Sequence, residues 1–119
     1  MLRIGYETWN PIEGYPRYEV SDFGRVRSLD YPVHYRRENG AEWSRIERGR
    51  VLKPRRLPNG YLRVCLGADY EDYIHRLVLL AFVGPCPEGM QCAHDDGDRG
   101  NNRLSNLASA FEAGQRSAV

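Results

Sequence analysis

Residues 74–106, IHRLVLLAFVGPCPEGMQCAHDDGDRGNNRLSN, decide how the rest of the chain is read. The stretch opens with Ile74, Leu77, Val78, Ala81 and Phe82 at i, i+3, i+4, i+7 and i+8, the spacing of one buried helical face. Gly84 and Pro85 should stop that helix, because glycine suits a helix C-terminus and proline cannot continue it. His75 and Arg76 fall off the stripe at the helix start, where a histidine is expected to be a structural hydrogen-bonder. Beyond a connector holding Cys86 and Cys92, residues 90–95 should form a strand that carries His94 near its end. Asp96-Gly97 turns the chain, residues 98–102 make a polar loop, and residues 102–107 read as a helical turn. A second short strand is expected over residues 107–110, and residues 111–118 have helical character. Strand, loop, strand and helix is a layout in which one histidine and one metal ion can face each other. His94, the Asp-Gly turn and Asn106 together suggest a small site for phosphodiester cleavage.

Length and composition set the bounds. A chain of 119 residues has room for one domain with a modest core, and 41% hydrophobic with 28% charged residues fits a folded globular protein. No apolar run approaches the ~20 residues of a membrane helix, and MLRIGYETWN lacks a signal-peptide core, so a cytoplasmic protein without membrane contact is expected. Three cysteines with no CxxC pair support neither a disulfide framework nor a four-cysteine zinc site.

The net charge of +1 hides an uneven distribution. Residues 31–66 carry nine basic against three acidic side chains, whereas residues 67–119 carry four against eight. A basic middle beside an acidic end suits a protein that grips phosphates with one part and does metal chemistry with another. All but one of the seventeen basic residues are arginine, which suits bidentate contacts, although an arginine-favouring codon bias accounts for the same excess.

Residues 9–29, WNPIEGYPRYEVSDFGRVRSL, read as a β-hairpin turning at Ser21-Asp22-Phe23-Gly24. Alternation sets Tyr18 and Val20 on one face and Val26 opposite Arg25 and Arg27, with Trp9, Ile12 and Tyr15 covering the apolar side. Residues 30–48 show no clear period and are expected to be a loop or loose hairpin. A short strand at Val51-Leu52 leads into the cluster Lys53, Arg55 and Arg56, followed by a turn at Pro58-Asn59-Gly60. Leu62, Val64 and Leu66 alternate as the inner face of another strand, and Tyr73-Ile74 closes a further pair.

Two resemblances follow from these residues. The string from Trp9 through GYPRYEVSDFGRVRSL resembles the NUMOD4 motif, a module found beside nuclease domains of phage and homing endonucleases. IHRLVLLAFVG followed by CAHDDGDRGNNRLSNL resembles the HNH endonucleases of the phage type that pairs with NUMOD4. Together they span roughly residues 9–115. They imply an α+β fold, with a small N-terminal β-hairpin module (1–30), a basic β/loop region (31–72) and a ββα-metal (His-Me finger) nuclease core (73–119). By the same resemblance His94 is the general base that takes a proton from water, a task suited to an imidazole with a reference pKa near ~6.5. Asn106 braces the loop, and Gln115 and Asp95 are the expected ligands of one divalent ion, Mg²⁺ or Mn²⁺. Double-stranded DNA is the implied substrate, contacted by Arg25, Arg27, Lys53, Arg55, Arg56, Arg76, Arg99 and Arg103. Phage DNA-processing proteins are the further partners implied, in the cytoplasm of the host, and monomer and dimer both stay open.

The sequence departs from the family pattern in three places. Ala93 stands where a metal ligand often precedes the base, Gln115 stands where the terminal helix often has Asn or His, and Ala108-Ser109 replace a tryptophan. These departures leave a catalytically degenerate HNH-fold DNA-binding protein as the alternative. A zinc-stabilised structural domain using the cysteines and His75 is a third reading.

Overall fold

The computed structural model describes residues 6–68, 70–85 and 92–107. Its first sheet is antiparallel and built from β1 (Trp9–Ile12), β2 (Tyr15–Ser21) and β3 (Val26–Ser28), with β2 in the middle. Val20 pairs with Val26 and Glu19 with Arg27, so the alternation read from sequence sets both valines inward, where each is almost wholly buried. Trp9 departs from expectation. It pairs with Ser21 on the outward face and lies under the Arg27 guanidinium at 4.0 Å, because an indole on that face gains more from a cation than from a core already filled by Ile12 and Val20.

The sheet continues across a long insertion. Ser28 donates to the Arg50 carbonyl and Leu52 to the Val26 carbonyl, each at 2.8 Å, so the expected Val51-Leu52 strand is reduced to an isolated bridge between Val51 and Arg27 beside β3. Between them, residues 31–47 form a regular hairpin, β4 (Tyr31–Arg36) paired with β5 (Glu42–Glu47) over six residue pairs. Sequence periodicity could not reveal it, because neither face is buried and every residue of β5 is exposed. Its cohesion comes from cross-strand contacts such as the stacked Tyr35 and Trp43 rings, 4.0 Å apart. At the foot of the hairpin, Gly49 runs so close to β3 that a Cβ would collide with the Ser28 carbonyl oxygen.

The last sheet comprises β6 (Arg55–Arg56), β7 (Leu62–Cys65) and β8 (Glu71–Tyr73), again antiparallel with the middle strand central. The expected Pro58-Asn59-Gly60 turn joins β6 to β7, closed by Gly60 donating to Leu57 and by Asn59 Oδ1 accepting from Tyr61. Val64 and Leu66 are buried on the inner face.

Helix α1 (Ile74–Phe82) follows β8 without a break and packs against β1, β2, β7 and β8. A nine-residue helix is too short to hold in isolation, so tertiary burial sustains it. Ile74, Leu77 and Val78 are buried as the stripe predicts, each worth ~1.5–3 kcal/mol. Burial extends further than the stripe, to Leu79 and His75, because the helix is covered by two sheets and by the 92–107 segment rather than by one surface. Gly84, at φ +122, donates to Leu79 and ends the helix where the Gly-Pro pair predicts. Among the described residues no helix is long and apolar enough to cross a membrane.

Residues 92–94 carry no strand, contrary to expectation, and Met90 and Gln91 lie outside the described residues. The backbone there is instead joined to the 104–107 turn where Asp95 donates to the Asn106 carbonyl at 3.3 Å. Residues 104–107 form the expected helical turn, with Leu107 fully buried in the core. Of the second strand expected over residues 107–110, Leu107 belongs to the helical turn instead, and the remainder lies outside the described residues with the terminal helix.

Burial pushes the His75 imidazole down from its ordinary 6.5 to about 4, with His94 and Arg76 adding to the effect and Asp72 opposing it. Between those values the unfolded chain binds a proton at His75 that the folded chain does not. Its contribution to stability is therefore complete above pH 6.5 and is lost as pH falls towards 4. Moving from pH 7 to pH 5 should cost the parent on the order of 1–2 kcal/mol more than it costs His75→Gln, read as the difference between urea midpoints at the two values. Equal losses in both proteins would assign the pH dependence to other groups.

Candidate functional site

Residues 92–107 fold over the end of α1 as a loop held almost entirely by its own polar groups. Gly97, at φ +76, donates to the His94 carbonyl at 2.9 Å, closing the Asp-Gly turn. Asp96 Oδ1 accepts from the Asp98 amide at 2.8 Å, and Asp98 Oδ1 accepts from the Gly100 amide at 2.9 Å. These bonds explain the run of Asp and Gly: short carboxylates cap amides that no ladder supplies.

Asn106 ties the two ends of this loop together. Its side chain donates to the Asn101 carbonyl at 2.8 Å and to Asp96 Oδ1 at 3.2 Å, while its Oδ1 accepts from the Asp96 amide at 3.1 Å. Asp96 also accepts from the Asn101 side chain at 2.7 Å, and that bond leads the causes that hold its carboxyl below the ordinary range. Asp96 and Asp98 are thus committed to the loop. Asp95 is different, since its exposed carboxylate makes no hydrogen bond or ion pair among the described residues.

His94 is half-buried, with Nε2 2.8 Å from the Oδ1 of Asn102. Asn102 is buried to 3% exposure. Aromatic rings wall the other side. His75 meets His94 edge-on at 5.3 Å, Tyr61 lies 5.9 Å from His94 and 5.1 Å from His75, and Tyr73 stacks on His75 at 5.2 Å. His75 Nδ1 is buried with no hydrogen-bond partner among the described residues, while its ring packs against Tyr61, Tyr73 and His94.

The eight basic residues expected at DNA divide into two sets. Arg25 is bound to Glu7, Arg27 to Glu19 at 2.7 Å, Arg55 to Glu71 at 2.9 Å and Arg76 to Asp72 at 3.8 Å. Lys53, Arg56, Arg99 and Arg103 have no acidic partner among the described residues. Three of these gather at the loop. Arg99 lies 4.7 Å over the Tyr61 ring and donates to the Asn59 carbonyl at 2.7 Å, Arg103 lies 4.3 Å over Phe23, and Arg56 packs on Gly100. Cation–π stacking holds a guanidinium in place while leaving its charge uncompensated.

Sequence reasoning missed Asn102, Tyr61 and the burial of His75. The pair Asn101-Asn102 in a short polar loop was the available signal for the first. Nothing local marks Tyr61, which reaches the site from another sheet.

The donor set for a metal ion is incomplete here. Among the described residues no group of three His, Cys, Asp or Glu side chains could hold one, Ala93 is exposed and offers no donor, and Gln115 lies outside. Asp95 does supply the hard oxygen that Mg²⁺ or Mn²⁺ prefers, and such ions keep several waters and need few protein ligands. For zinc, Cys86 lies outside the described residues, and among those described Cys65 is exposed, Cys92 is half-buried and the His75 ring is sandwiched between aromatic neighbours.

Comparison with known proteins bears out both sequence resemblances. Residues 7–67 match the NUMOD4 motif and residues 72–110 match the HNH endonuclease model. The DNA endonuclease I-HmuI of Bacillus phage SP01 is 35% identical over 80 residues, covering 65% of this chain and 46% of that protein. The uncharacterized HNH endonuclease L247 of Acanthamoeba polyphaga mimivirus is 31% identical over 105 residues, covering 85% of this chain and 23% of that protein. The chain therefore spans less than half the length of these curated relatives. A solved structure of DNA binding and cleavage by the HNH homing endonuclease I-HmuI aligns with a TM-score of 0.62 at 26% identity, covering 94% of this chain and 60% of that one. That likeness supports the α+β architecture, and the two matched segments together identify this chain as a member of the HNH endonuclease family that carries a NUMOD4 motif ahead of its HNH segment.

Proposed function

We propose that this chain is a metal-dependent DNA endonuclease in which His94 is the general base for hydrolysis of a phosphodiester bond. The observation that carries this reading is the geometry of His94: half-buried, paired with Asn102 at 2.8 Å, and set in a loop cross-braced by Asn106 within the HNH-matching segment. One ring nitrogen is engaged by Asn102, which leaves the other to take a proton from water. As the water oxygen bonds to phosphorus, His94 accepts that proton and the bond to the leaving oxygen breaks. A divalent ion, when bound, supplies Lewis-acid neutralisation of charge at the leaving oxygen. Asp95 and Gln115 are the residues that would hold it. Duplex DNA is the substrate, gripped by Arg56, Arg99 and Arg103 around the loop, with Lys53 as a further cation.

Catalytic degeneracy is the one rival that a specific observation favours, namely the missing donor at position 93. Adding that donor separates the two readings. Ala93→Asp should bind Mn²⁺ more tightly by calorimetry and reach half-maximal nicking at a lower Mg²⁺ concentration than the parent. An inactive parent made active by this change would establish the degenerate reading, and unchanged Mn²⁺ binding would move the metal away from position 93.

In a plasmid-nicking assay with Mg²⁺, Mn²⁺ or EDTA, His94→Ala should lose at least ~10²–10⁴-fold in rate while binding DNA as the parent does. Nicking within threefold of the parent would remove His94 from the role of base.

Charge-free substitution distinguishes the two arginine sets. Changing Lys53, Arg56, Arg99 and Arg103 to Ala together should flatten the dependence of log affinity on log salt by about 0.9 for each lost phosphate contact. The same treatment of Arg25, Arg27 and Arg55 removes guanidiniums already paired with carboxylates and should flatten it less. The reverse ranking would place the DNA against Arg25 and Arg27 of the first sheet and Arg55 of the last.

A further inference from the structure

Asn102 has a place in the site that the resemblance to HNH endonucleases did not supply. In the amide orientation that the structure gives Asn102, Oδ1 faces His94 Nε2 and Nδ2 is buried with no hydrogen-bond partner among the described residues. An amide oxygen only accepts, so in this orientation the facing His94 nitrogen carries the proton. That nitrogen is Nε2, and the lone pair left for a water proton is then on Nδ1. Burial makes the bond strong enough to select, because an imidazole N–H turned away from its partner in a half-buried pocket would lose both the bond and water.

Asn102 itself is held from outside its own loop. Gly24, in the turn of the N-terminal hairpin at φ +86, sits so close that a Cβ would lie 2.8 Å from the Asn102 carbonyl carbon and oxygen and 2.9 Å from its Cβ. Ser21 Oγ closes that turn by accepting from the Phe23 and Arg25 amides at 3.2 and 3.1 Å. The turn then grips the far side of Asn102, with Leu104 donating to the Asp22 carbonyl at 2.8 Å and Arg103 stacked on Phe23. On the opposite side of the imidazole, His75 packs edge-on.

We propose that Asn102 is the positioning residue that holds His94 in its Nε2-protonated tautomer, and that the 21–24 turn of the NUMOD4 segment holds Asn102 in place. The functional value of this rests on His94 being the base; the tautomer itself does not. The N-terminal segment is thereby part of what aims the catalytic histidine, as well as a surface for DNA.

The test is long-range ¹H–¹⁵N correlation NMR of the neutral imidazoles in the full chain, with His94 assigned by loss of its signals in His94→Ala. The parent should show a protonated-type Nε2 and a bare-type Nδ1, well separated in shift. In Asn102→Ala the two shifts should move towards each other as the tautomers exchange, with nicking slowed roughly 10–100-fold at unchanged DNA affinity. Asn102→Asp keeps an acceptor oxygen and should restore the parental pattern, which a purely structural role for Asn102 would not explain. Gly24→Ala should reproduce the Asn102→Ala pattern. A protonated Nδ1 or averaged shifts in the parent would overturn the proposal even if no variant folds, as would parental shifts in Asn102→Ala. A parental pattern in Gly24→Ala would remove the hairpin turn from it. Should His94→Ala still nick DNA, the base assignment fails, while the tautomer is read without any turnover and stands or falls separately.

Discussion

The 2.8 Å hydrogen bond from the Leu104 amide to the Asp22 carbonyl joins the N-terminal turn to the histidine loop, and much of the molecule depends on that junction. A loop of Asp, Asn and Gly has few apolar groups with which to anchor itself. Residues 92–107 have Leu107 in the core, Cys92 and Leu104 half-buried against it, and otherwise short polar bonds and ring contacts. Such bonds are worth about 1 kcal/mol each in exposed positions and hold a shape without fixing where it sits. Docking against a turn that belongs to a three-stranded sheet supplies the missing reference frame. The sheet in turn rests on α1, whose first residues reach His94 through His75, so a closed circuit of contacts runs from hairpin to helix to histidine and back.

Charge is distributed by a similar division of labour. The basic surplus in residues 31–66 suggests a broadly cationic surface, yet much of it is met locally by Arg36 with Glu42, Arg45 with Glu47, Arg48 with Asp30 and Arg55 with Glu71. Exposed pairs of this kind add little to stability, ~0–1 kcal/mol each, but they flatten the field. The cations left unmatched by acids around the loop are those stacked on Tyr61 and Phe23 or packed on Gly100. Beside His94, three guanidiniums without acidic partners among the described residues thus stand next to the exposed carboxylates of Asp95, Asp96 and Asp98, so cations and anions are both displayed there.

The sequence made the first hairpin, the turn at Gly60, the inner face of β7 and the body of α1 legible, because in each a buried face imposes a period or a turn imposes a residue type. Both family resemblances were legible for the same reason, as they lie on residues whose spacing is dictated by the fold. The β4–β5 hairpin was legible only as one of two alternatives, a loop or a loose hairpin, because nothing covers it and a strand solvated on both faces writes no alternation into its residues. The strand expected over residues 90–95 was overread from a short stretch whose described part, residues 92–94, pairs with no strand. Within the site, His94 and Asn106 stood out through the motif, whereas Asn102 looked like one more turn asparagine. What distinguishes it is the proximity of Gly24, a contact between residues far apart in the chain that no local pattern encodes.

Gly49 and the bonds between Ser28 and Arg50 carry an implication for how this architecture can vary. The chain leaves the first sheet at residue 28 and returns beside it at residue 50, so the intervening ribbon is grafted onto a seam that is already closed. Loop-closure entropy changes slowly with length, and ends that stay paired register little of what lies between them. Ribbon length and face chemistry are thus free to drift among family members while the seam stays put. Variation in reach would accumulate in that appendage, and the glycine at its root would be the position least able to change.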